Sequence, residues 1–559
     1  MEEPPTCPSE DRTSQISLLT SDDAPWYVSL DHEDEIEYDI AENQHTLKCG
    51  TLVGLVEQLT RHDRLDASFN ETFLTTFQTF VSASELFEML IKRFNIEPPA
   101  ELDESEHERW KKQKQQTIRL RVVNILKNWF ERFWMEPNDE ETRNFLQNAH
   151  DLISDSPTIM AMPSSLQLLA IVEQRLQGHG SIKRLVRTPT ASAPLPIIPR
   201  SMKKLKLLDI DPVECARQLT IVESGLYRRI RPAECLNKRW KKKSPENPEP
   251  VTGVNATILH SNKLANWVGE TILNQTTVKK RVTMIKYFVS VADQCRTFNN
   301  YATLMSIISG LGQTPVYRLR STWRQVSKHV LATLEELRQL LESSKNFAKY
   351  REILCGTTSP CVPFLGIYLS DLTFIEDGIP NTTSSGMINF TKRRKTAKVI
   401  QEIQQYQTVP YALQPVPELQ DYIICNIQAA KDVHEMYNRS LEIEPTENGE
   451  EDILGSPAVN HMSSVVIASL ILRYYISNRT KEQMQRELES LMQVNCEEHT
   501  AHFRERLLSS VHSQQKVANS SLDTFLDYIS GPTVQGQFIR APDPALRPEA
   551  YDRDCRPSS

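Results

Sequence analysis

The stretch 359–407 carries the side chains best suited to act on a partner. An apolar run, 362–369, leads into a polar, acidic stretch, 370–378. A loop rich in Pro, Asn, Thr, Ser and Gly follows, and a strongly basic segment begins at Lys392. Two segments of opposite charge joined by a turn predict a helical hairpin that reaches into something else. No nucleophile triad, phosphate loop or metal-ligand spacing accompanies it, so its action would be mechanical.

The composition favours a globular, mainly helical protein. A chain of 559 residues has room for roughly three or four domains. Hydrophobic residues make up 39% and charged residues 24%, which is typical of a protein with a sizeable core. Only 17 residues are Gly against 32 Pro, which disfavours β-rich and nucleotide-cradling folds. Apolar residues repeat with helical spacing, as between Leu52 and Leu59, so we predict an all-α fold.

The net charge of −8 is unevenly distributed. Residues 1–47 contain thirteen Asp and Glu against one Arg, a net of −12, which leaves about +4 for the remaining chain. The acidity therefore belongs to the N-terminal region. The rest is not basic enough to indicate a nucleic-acid partner from charge alone.

The cysteines and the chain ends predict a cytosolic or nuclear protein without a bound metal or cofactor, and we take a cytoplasmic location as the expectation. The ten Cys include no CxxC pair and no Cys/His ligand spacing, which is typical of reduced thiols. The opening Met1-Glu2-Glu3 is not that of a signal peptide. No apolar run reaches the ~18 residues that a membrane span needs, so any membrane contact is expected to be peripheral.

Composition shifts divide the chain into modules and linkers. The N-terminal tail is acidic and poor in apolar residues, although the cluster 25–28 is expected to pack back onto the folded body. A Pro-rich stretch predicts a linker, with a proline-rich ligand for another protein as the alternative. The predicted segments are a disordered acidic tail (1–46), a first helical module (47–181), the Pro-rich linker (182–205), a second helical module (206–445), an acidic linker (446–462), a helical segment without an assigned role (463–529) and a disordered tail (530–559).

Four sequence blocks of the second module have an order and spacing that fit one family over about 240 residues. The blocks are Asp211–Pro232, Phe298–Leu319, Pro360–Gly378 and Ile388–Gln407. Together they resemble the catalytic domain of Ras-family guanine-nucleotide exchange factors. The first module, with Gly50-Thr51-Leu52 and the motif 73–77, is similar to the Ras exchanger motif domain that precedes it. The N-terminal arrangement resembles fungal members.

The resemblance implies an exchange factor for a Ras-family small GTPase. In the family, the hairpin pushes switch 1 aside and disrupts the Mg²⁺ and phosphate site, so GDP leaves and GTP can load. The preferred partner form is nucleotide-free, and membrane recruitment would come through the GTPase. Such a protein is not an enzyme with covalent chemistry of its own, and it needs no cofactor or metal.

The resemblance also implies roles for three residues on the first hairpin helix. Ser370, Thr373 and Asp377 match positions that enter the Mg²⁺ and phosphate region of the GTPase. A carboxylate there can compete with phosphate for the P-loop hydroxyl and Lys. Thr373 departs from the family, where a larger apolar residue is expected, which weakens steric exclusion of Mg²⁺. A solvated acid near a turn is the alternative for Asp377.

Three further residues are predicted to bind the GTPase. Tyr317 and Phe364 match partner-facing aromatics, although plain core packing is the alternative for both. Gly312 stands where the family often has Asn, so one polar contact with the partner is in doubt. Arg217 is expected to be structural, bonding across helices.

Two functions of other classes remain open at this point. A non-catalytic scaffold that binds a GTPase without exchange is the alternative, because of Thr373 and Gly312. A nucleic-acid-binding protein would rest on the basic cluster Lys392–Lys395, but no stacking aromatics are interleaved with it. We expect that cluster to be the solvated face of the second hairpin helix, opposite the apolar Val399, Ile400 and Ile403.

Overall fold

The computed structural model of this chain describes residues 25–41, 44–178, 192–241 and 253–445. The chain divides into two compact units. The first contains the described residues before Lys183 together with 382–391, and the second contains those from 192 to 381 and from 392 onward. The predictions for 1–24, 446–462, 463–529 and 530–559 lie outside the described residues.

The first unit is built mainly from helices. Side-chain caps fix several of its helix starts: Thr51 Oγ1 accepts from the Gly54 N–H at 3.1 Å, and Ser82 Oγ accepts from the Glu85 N–H at 3.2 Å. Turns of 3-10 helix lie at Trp26–Val28, Glu33–Glu35 and Phe77–Thr79, and a π-helical turn at Lys111–Gln115. The helices are α1 (Leu52–Thr60), α2 (Ala67–Thr76), α3 (Ala83–Phe94), α4 (Glu104–Trp110), α5 (Gln116–Arg132), α6 (Glu140–Asp155), α7 (Pro157–Met160) and α8 (Ser165–Leu176).

An aromatic cluster forms the centre of this unit's core. Phe73 and Phe77 are buried, as their helical spacing indicates. The Phe77 ring meets Trp129 edge-on at 5.2 Å between centroids, and Trp129 stacks on Phe130 at 5.1 Å. Large aromatic side chains supply much of the buried apolar area in such a core.

A small antiparallel sheet joins the helices of the first unit. Strand β1 (Ile36–Ala41) pairs with β2 (Gln44–Gly50), with Ile36 opposite Gly50. Strand β3 (Ile388–Asn389) pairs with β2 on its other edge. The residue after β3, Phe390, is buried and stacks on Phe69 with ring centroids 4.7 Å apart.

The prediction of disorder for the whole of 1–46 was wrong for its second half, which carries β1 and the start of β2. The reason is electrostatic. The Asp31 carboxylate accepts from Arg93 at 2.9 Å and from Lys114 at 2.6 Å. Glu57 accepts the N–H groups of Asp31 and His32 at 3.1 and 2.6 Å. These long-range pairs hold a segment whose own apolar content is low. Tyr27 is buried, as expected for the cluster 25–28.

The second unit is also helical, and the predicted all-α class is confirmed, apart from the three short strands. Two 3-10 segments lie at Leu207–Asp209 and Leu236–Lys241. Its helices are α9 (Pro212–Tyr227), α10 (Pro232–Cys235), α11 (Gly253–Leu273), α12 (Val278–Thr297), α13 (Tyr301–Gly312), α14 (Thr314–Tyr317), α15 (Arg320–Trp323), α16 (Lys328–Leu340), α17 (Ser344–Gly356), α18 (Leu365–Gly378), α19 (Phe390–Gln405, whose first residues belong to the first unit), α20 (Pro417–Ala429) and α21 (Val433–Ile443).

Close packing of α11 against α13 forms the centre of the second unit. Gly310 permits it, because a Cβ at this position would lie 2.5 Å from the Ala265 carbonyl oxygen and 2.8 Å from the Val268 Cβ. Neither atom can move away cheaply, so a glycine is required there. Leu304, Ile307 and Leu311 of α13 are fully buried around it.

A buried ion pair joins α9 and α11. His260 Nε2 lies 3.2 Å from Glu223 Oε2, and the carboxylate is almost completely buried. Burial by itself would lower the pKa of His260, but the neighbouring Glu223 carboxylate outweighs burial and raises it above the ordinary value.

This pair predicts that the second unit loses stability as the pH rises. A group whose pKa is higher in the folded than in the unfolded chain adds stability below its unfolded pKa, and that stability is lost as the pH rises through the folded pKa. We expect the melting temperature of the wild-type chain to fall above about pH 6.5. In the His260→Gln variant, the part of this decrease that comes from the ion pair should be absent. Thermal unfolding across this pH range measures it. The control is the same change at the exposed His329 on α16; identical pH profiles for the two variants would contradict the prediction.

Candidate functional site

The start of α18 is fixed by backbone bonds to its neighbours. The Val362 N–H donates to the Asn299 carbonyl at 3.0 Å, and the Tyr301 N–H donates to the Val362 carbonyl at 2.9 Å. At the first turn, the Phe364 N–H donates to the hydroxyl of the buried Tyr350 at 2.9 Å. The bond to Tyr350 satisfies one N–H group that a helix start leaves without a partner, and the bonds of Val362 anchor the chain just before α18.

Part of the α18 surface is exposed, whereas 365–369, Leu372 and Thr373 are buried. Ser370 is half-buried, Phe374 is 47% exposed and Asp377 is exposed. Their spacing of four and three residues places them on one helix face. The stripe therefore combines a hydroxyl, an aromatic ring and a carboxylate on the surface of the first hairpin helix.

Thr373, three residues after Ser370 and four before Asp377, borders this stripe but is buried. Its side chain is 2% exposed, and its hydroxyl donates to the Leu369 carbonyl at 2.7 Å within the helix. A direct contact between Thr373 and a partner would require this side chain to leave the interior. The exposed apolar group is its neighbour Phe374, which our sequence analysis missed. Because positions 373 and 374 both fit a helical spacing with 370 and 377, spacing alone does not show which of the two is exposed.

Three acidic residues of α18 each pair with a base from a different element. Arg351 of α17 binds Asp371 through two bonds, NH1 to Oδ2 at 2.8 Å and NH2 to Oδ1 at 2.9 Å. Lys392 of α19 lies 3.2 Å from Glu376 Oε1 and donates to the Glu376 carbonyl at 3.1 Å. In the third pair, Lys238 of the 236–241 segment donates to Asp377 Oδ1. Ion pairs thus fasten α18 to neighbouring elements between Asp371 and Asp377.

The prediction that Lys392–Lys395 forms a solvated face was wrong for its first two residues. Lys392 and Arg393 are 1% and 2% exposed. Burial lowers the pKa of Lys392, opposed by the Glu376 carboxylate, and Arg393 NH1 donates to Asn381 Oδ1 at 3.0 Å. These bases face the acidic helix, which sequence periodicity alone does not reveal. The predicted apolar face of α19 is confirmed: its residues Val399, Ile400 and Ile403 are buried.

The three predicted GTPase-binding residues lie in separate elements of the second unit. Gly312 ends α13 and is half-buried, and Tyr317 ends α14 and is also half-buried. Phe364 precedes α18, half-buried, with its ring 6.3 Å from that of Phe347. The structure brings Ser370 and Asp377 together on one stripe, and it leaves the roles of all six residues as predictions.

The segment that follows Tyr317 is fastened by the end of α21. Arg318 NH1 donates to the carbonyls of Ser440 and Glu444, both at 2.8 Å. The Glu444 carboxylate accepts from Thr322 Oγ1 at 2.6 Å and from the buried Arg281 at 3.1 Å. These bonds limit how far α14 can shift, so the Tyr317 side chain is presented from a fixed backbone.

Arg217 is structural, as expected, although its bonds differ from those predicted. Its NH1 donates to Glu214 Oε2 at 3.0 Å within α9 and to the Leu195 carbonyl at 3.2 Å. Glu214 Oε2 also accepts the Ile197 N–H at 2.9 Å. The extended part of the Pro-rich segment is therefore bound along α9, and Arg217 bonds to this segment where a second helix was expected.

Neither a metal centre nor a membrane span stands out in the part of the chain that the structure describes. Within those ranges, His, Cys, Asp and Glu side chains form no group of three or more that could hold a metal ion. The helices in the same ranges are all too short or too polar to cross a bilayer.

Comparisons with known proteins point to one family. The RasGEF domain model matches residues 214–394, and the RasGEF N-terminal motif model matches residues 46–151. The chain is 33% identical to Ras guanine nucleotide exchange factor A of Dictyostelium discoideum, over 75% of this chain and 70% of that protein.

Two fungal relatives are similar over a comparable share of the chain. It is 39% identical to Cell division control protein 25 of Candida albicans, over 76% of this chain and 32% of that protein. It is 34% identical to Cell division control protein 25 of Saccharomyces cerevisiae, over 78% of this chain and 29% of that protein. The chain thus spans about a third of the length of these two relatives.

The forked pair of Arg351 with Asp371 predicts a measurable loss of stability when it is broken. A bidentate, partly buried pair is stronger than a single surface contact, so we expect Arg351→Ala to lower the free energy of unfolding by about 1 kcal/mol. Arg351→Lys keeps the charge but not the fork, so its loss should be smaller. Urea unfolding measures both. The control is Arg324→Ala, since Arg324 is exposed and forms no ion pair among the described residues; an equal loss there would contradict the prediction.

Proposed function

Because this chain belongs to the Ras guanine-nucleotide exchange factor family, we propose that it accelerates GDP release from a Ras-family small GTPase so that GTP can load. The observation that carries the proposal is the exposed stripe of α18, which ends in the Asp377 carboxylate and lies inside the matched domain. The proposed site is this stripe, with Tyr317 and Phe364 as contacts to the GTPase.

An exchange factor must overcome the tight binding of the nucleotide to the GTPase. Picomolar binding corresponds to about 16 kcal/mol, so spontaneous release is slow. Backbone amides, a P-loop Lys and Mg²⁺ supply this grip around the phosphates. A protein that binds the nucleotide-free GTPase more tightly than the loaded form weakens nucleotide binding by the same factor. No covalent step is needed, and nothing is consumed.

The stripe of α18 has the chemistry for this competition. A carboxylate at Asp377 can take the place of a phosphate oxygen beside the P-loop Lys, because both are anionic acceptors. Phe374, one turn earlier, offers apolar area, and Ser370 offers a hydroxyl. In this proposal Thr373 supports the helix from inside, and the bulk that displaces Mg²⁺ comes from Phe374.

Partner choice and location follow from the same proposal. The preferred partner is the nucleotide-free form of the GTPase, because the Asp377 carboxylate and bound phosphates repel each other. We place the protein in the cytoplasm, where it meets a membrane surface through its GTPase.

Fluorescent-GDP release from Ras-, Rap- and Ral-type GTPases tests the proposal directly. We expect acceleration of release from at least one of them in the presence of excess unlabelled nucleotide. Binding to a nucleotide-free GTPase without acceleration for any of the three would contradict exchange activity and favour a non-catalytic scaffold, which is the second candidate because Thr373 is buried.

Two substitutions should separate docking from phosphate competition. Tyr317→Ala should weaken binding to the nucleotide-free GTPase by roughly 2–4 kcal/mol, as expected for an aromatic interface anchor. Asp377→Ala should slow release more than it weakens binding. Titrated release rates and binding isotherms measure both effects, with thermal melting as the check on folding. If Tyr317→Ala melts earlier but binds normally, Tyr317 is a packing residue, and equal losses of rate and binding for Asp377→Ala would exclude phosphate competition.

A further inference from the structure

The segment 236–241 has an unusual backbone next to the end of α18. Asn237 and Lys238 both adopt left-handed conformations, with φ of 49° and 53°. Two consecutive non-glycine residues in this region are uncommon and cost free energy. The conformation persists because both sides of the pair are anchored: Leu236 and Trp240 are buried in the second unit.

Glu234, two residues before this segment, is anchored as well. Glu234 ends close to α11, where its Oε2 accepts the Val254 N–H at 2.8 Å. Arg231 donates to its other oxygen, Oε1, at 3.2 Å. The backbone that carries Lys238 is therefore tied to α10 and α11, and its ammonium group comes from a fixed support.

The Lys238 ammonium engages only one oxygen of Asp377. It donates to Oδ1, while Oδ2 accepts no hydrogen bond from the residues that the structure describes. An ionised carboxylate can accept about four hydrogen bonds through its two oxygens. The side chain is thus held in one orientation and keeps acceptor capacity for a second cation.

Lys241 and Lys392 are further bases whose charges interact with this carboxylate. The pKa of Lys241 is lowered to about 8, mainly by burial and also by the charge of Lys238, while the Asp377 carboxylate acts in the opposite direction. Of these bases, Lys238 is the one that donates a hydrogen bond to Asp377.

We propose that Lys238 is a positioning residue for Asp377: it binds Oδ1, fixes the carboxylate at the end of α18 and leaves Oδ2 to accept from the GTPase. This inference rests on the proposed exchange function and adds a residue that lies outside the hairpin. A preset carboxylate loses less side-chain freedom when it meets the P-loop, so the gain should appear in the maximal release rate.

A double-mutant cycle on the intact chain tests this inference. The variants are Lys238→Gln, Asp377→Asn and the two combined, with Lys238→Arg as the conservative rescue. The GTPase is the one that the wild-type chain acts on. The charge control is Lys279→Gln on α12, where the lysine is exposed and has no ion pair among the described residues. Fluorescent-GDP release is titrated with each variant, and melting temperatures are recorded.

Lys238→Gln should lower the maximal release rate about two- to fivefold, the range for loss of a partly exposed ion pair. The half-saturating concentration and the melting temperature should stay unchanged. In the Asp377→Asn background the same change should have no further effect, because the two residues act as a unit. Lys238→Arg should retain most of the rate, and Lys279→Gln should match the wild type.

Two results would overturn the inference while the exchange function stands. One is release with Lys238→Gln that is as fast as with the wild type or faster, although Asp377→Asn is slow; the pair would then be neutral or a restraint. The other is an equal loss in both backgrounds, which would mean that Lys238 acts independently of Asp377. A wild-type chain without activity on any GTPase would instead reject the proposed function, and this inference with it.

Discussion

Acid–base pairing along α18 is the constraint on which the candidate site depends. The helix carries three acids from its middle to its C-terminal end, and each one meets a base from a separate element of the second unit. The pairs are Arg351 with Asp371, Lys392 with Glu376, and Lys238 with Asp377. None of them is worth much by itself, because each is at least partly open to solvent. Together the three ion pairs fix the position of this short helix, because the bases approach it from three different elements.

This arrangement explains how a surface helix could act on a tightly closed partner. Exchange requires that binding energy be directed at the nucleotide site, and an ordered helix loses little entropy on insertion. The buried side of α18 supplies packing through residues such as Leu369 and Leu372, while the exposed stripe keeps its polar groups accessible. In the proposed function, the buried Thr373 supports the helix from inside and Phe374 is the apolar group offered to the partner.

Much of the fold could be predicted from local sequence, whereas the pairing within the site could not. Helical spacing and caps such as Asp211 before Pro212 act over a few residues, so they are visible in the sequence. The ion pairs of α18 join residues that are 20, 16 and 139 positions apart, and only the fold brings them together. The same reason explains the N-terminal region, where composition indicated disorder and remote Arg93 and Lys114 hold Asp31. The burial of the Thr373 side chain depends on the exact rotation of α18 about its axis, and a single apolar run in the sequence does not determine that rotation.

Amide hydrogen exchange over residues 365–378 is the measurement that tests this account most directly. It compares the free chain with the chain bound to a nucleotide-free GTPase. If the ion pairs set α18 before the partner arrives, its amides are already protected in the free chain and gain little on binding. Fast exchange along the second half of α18 in the free chain, followed by strong protection only in the complex, would contradict the account.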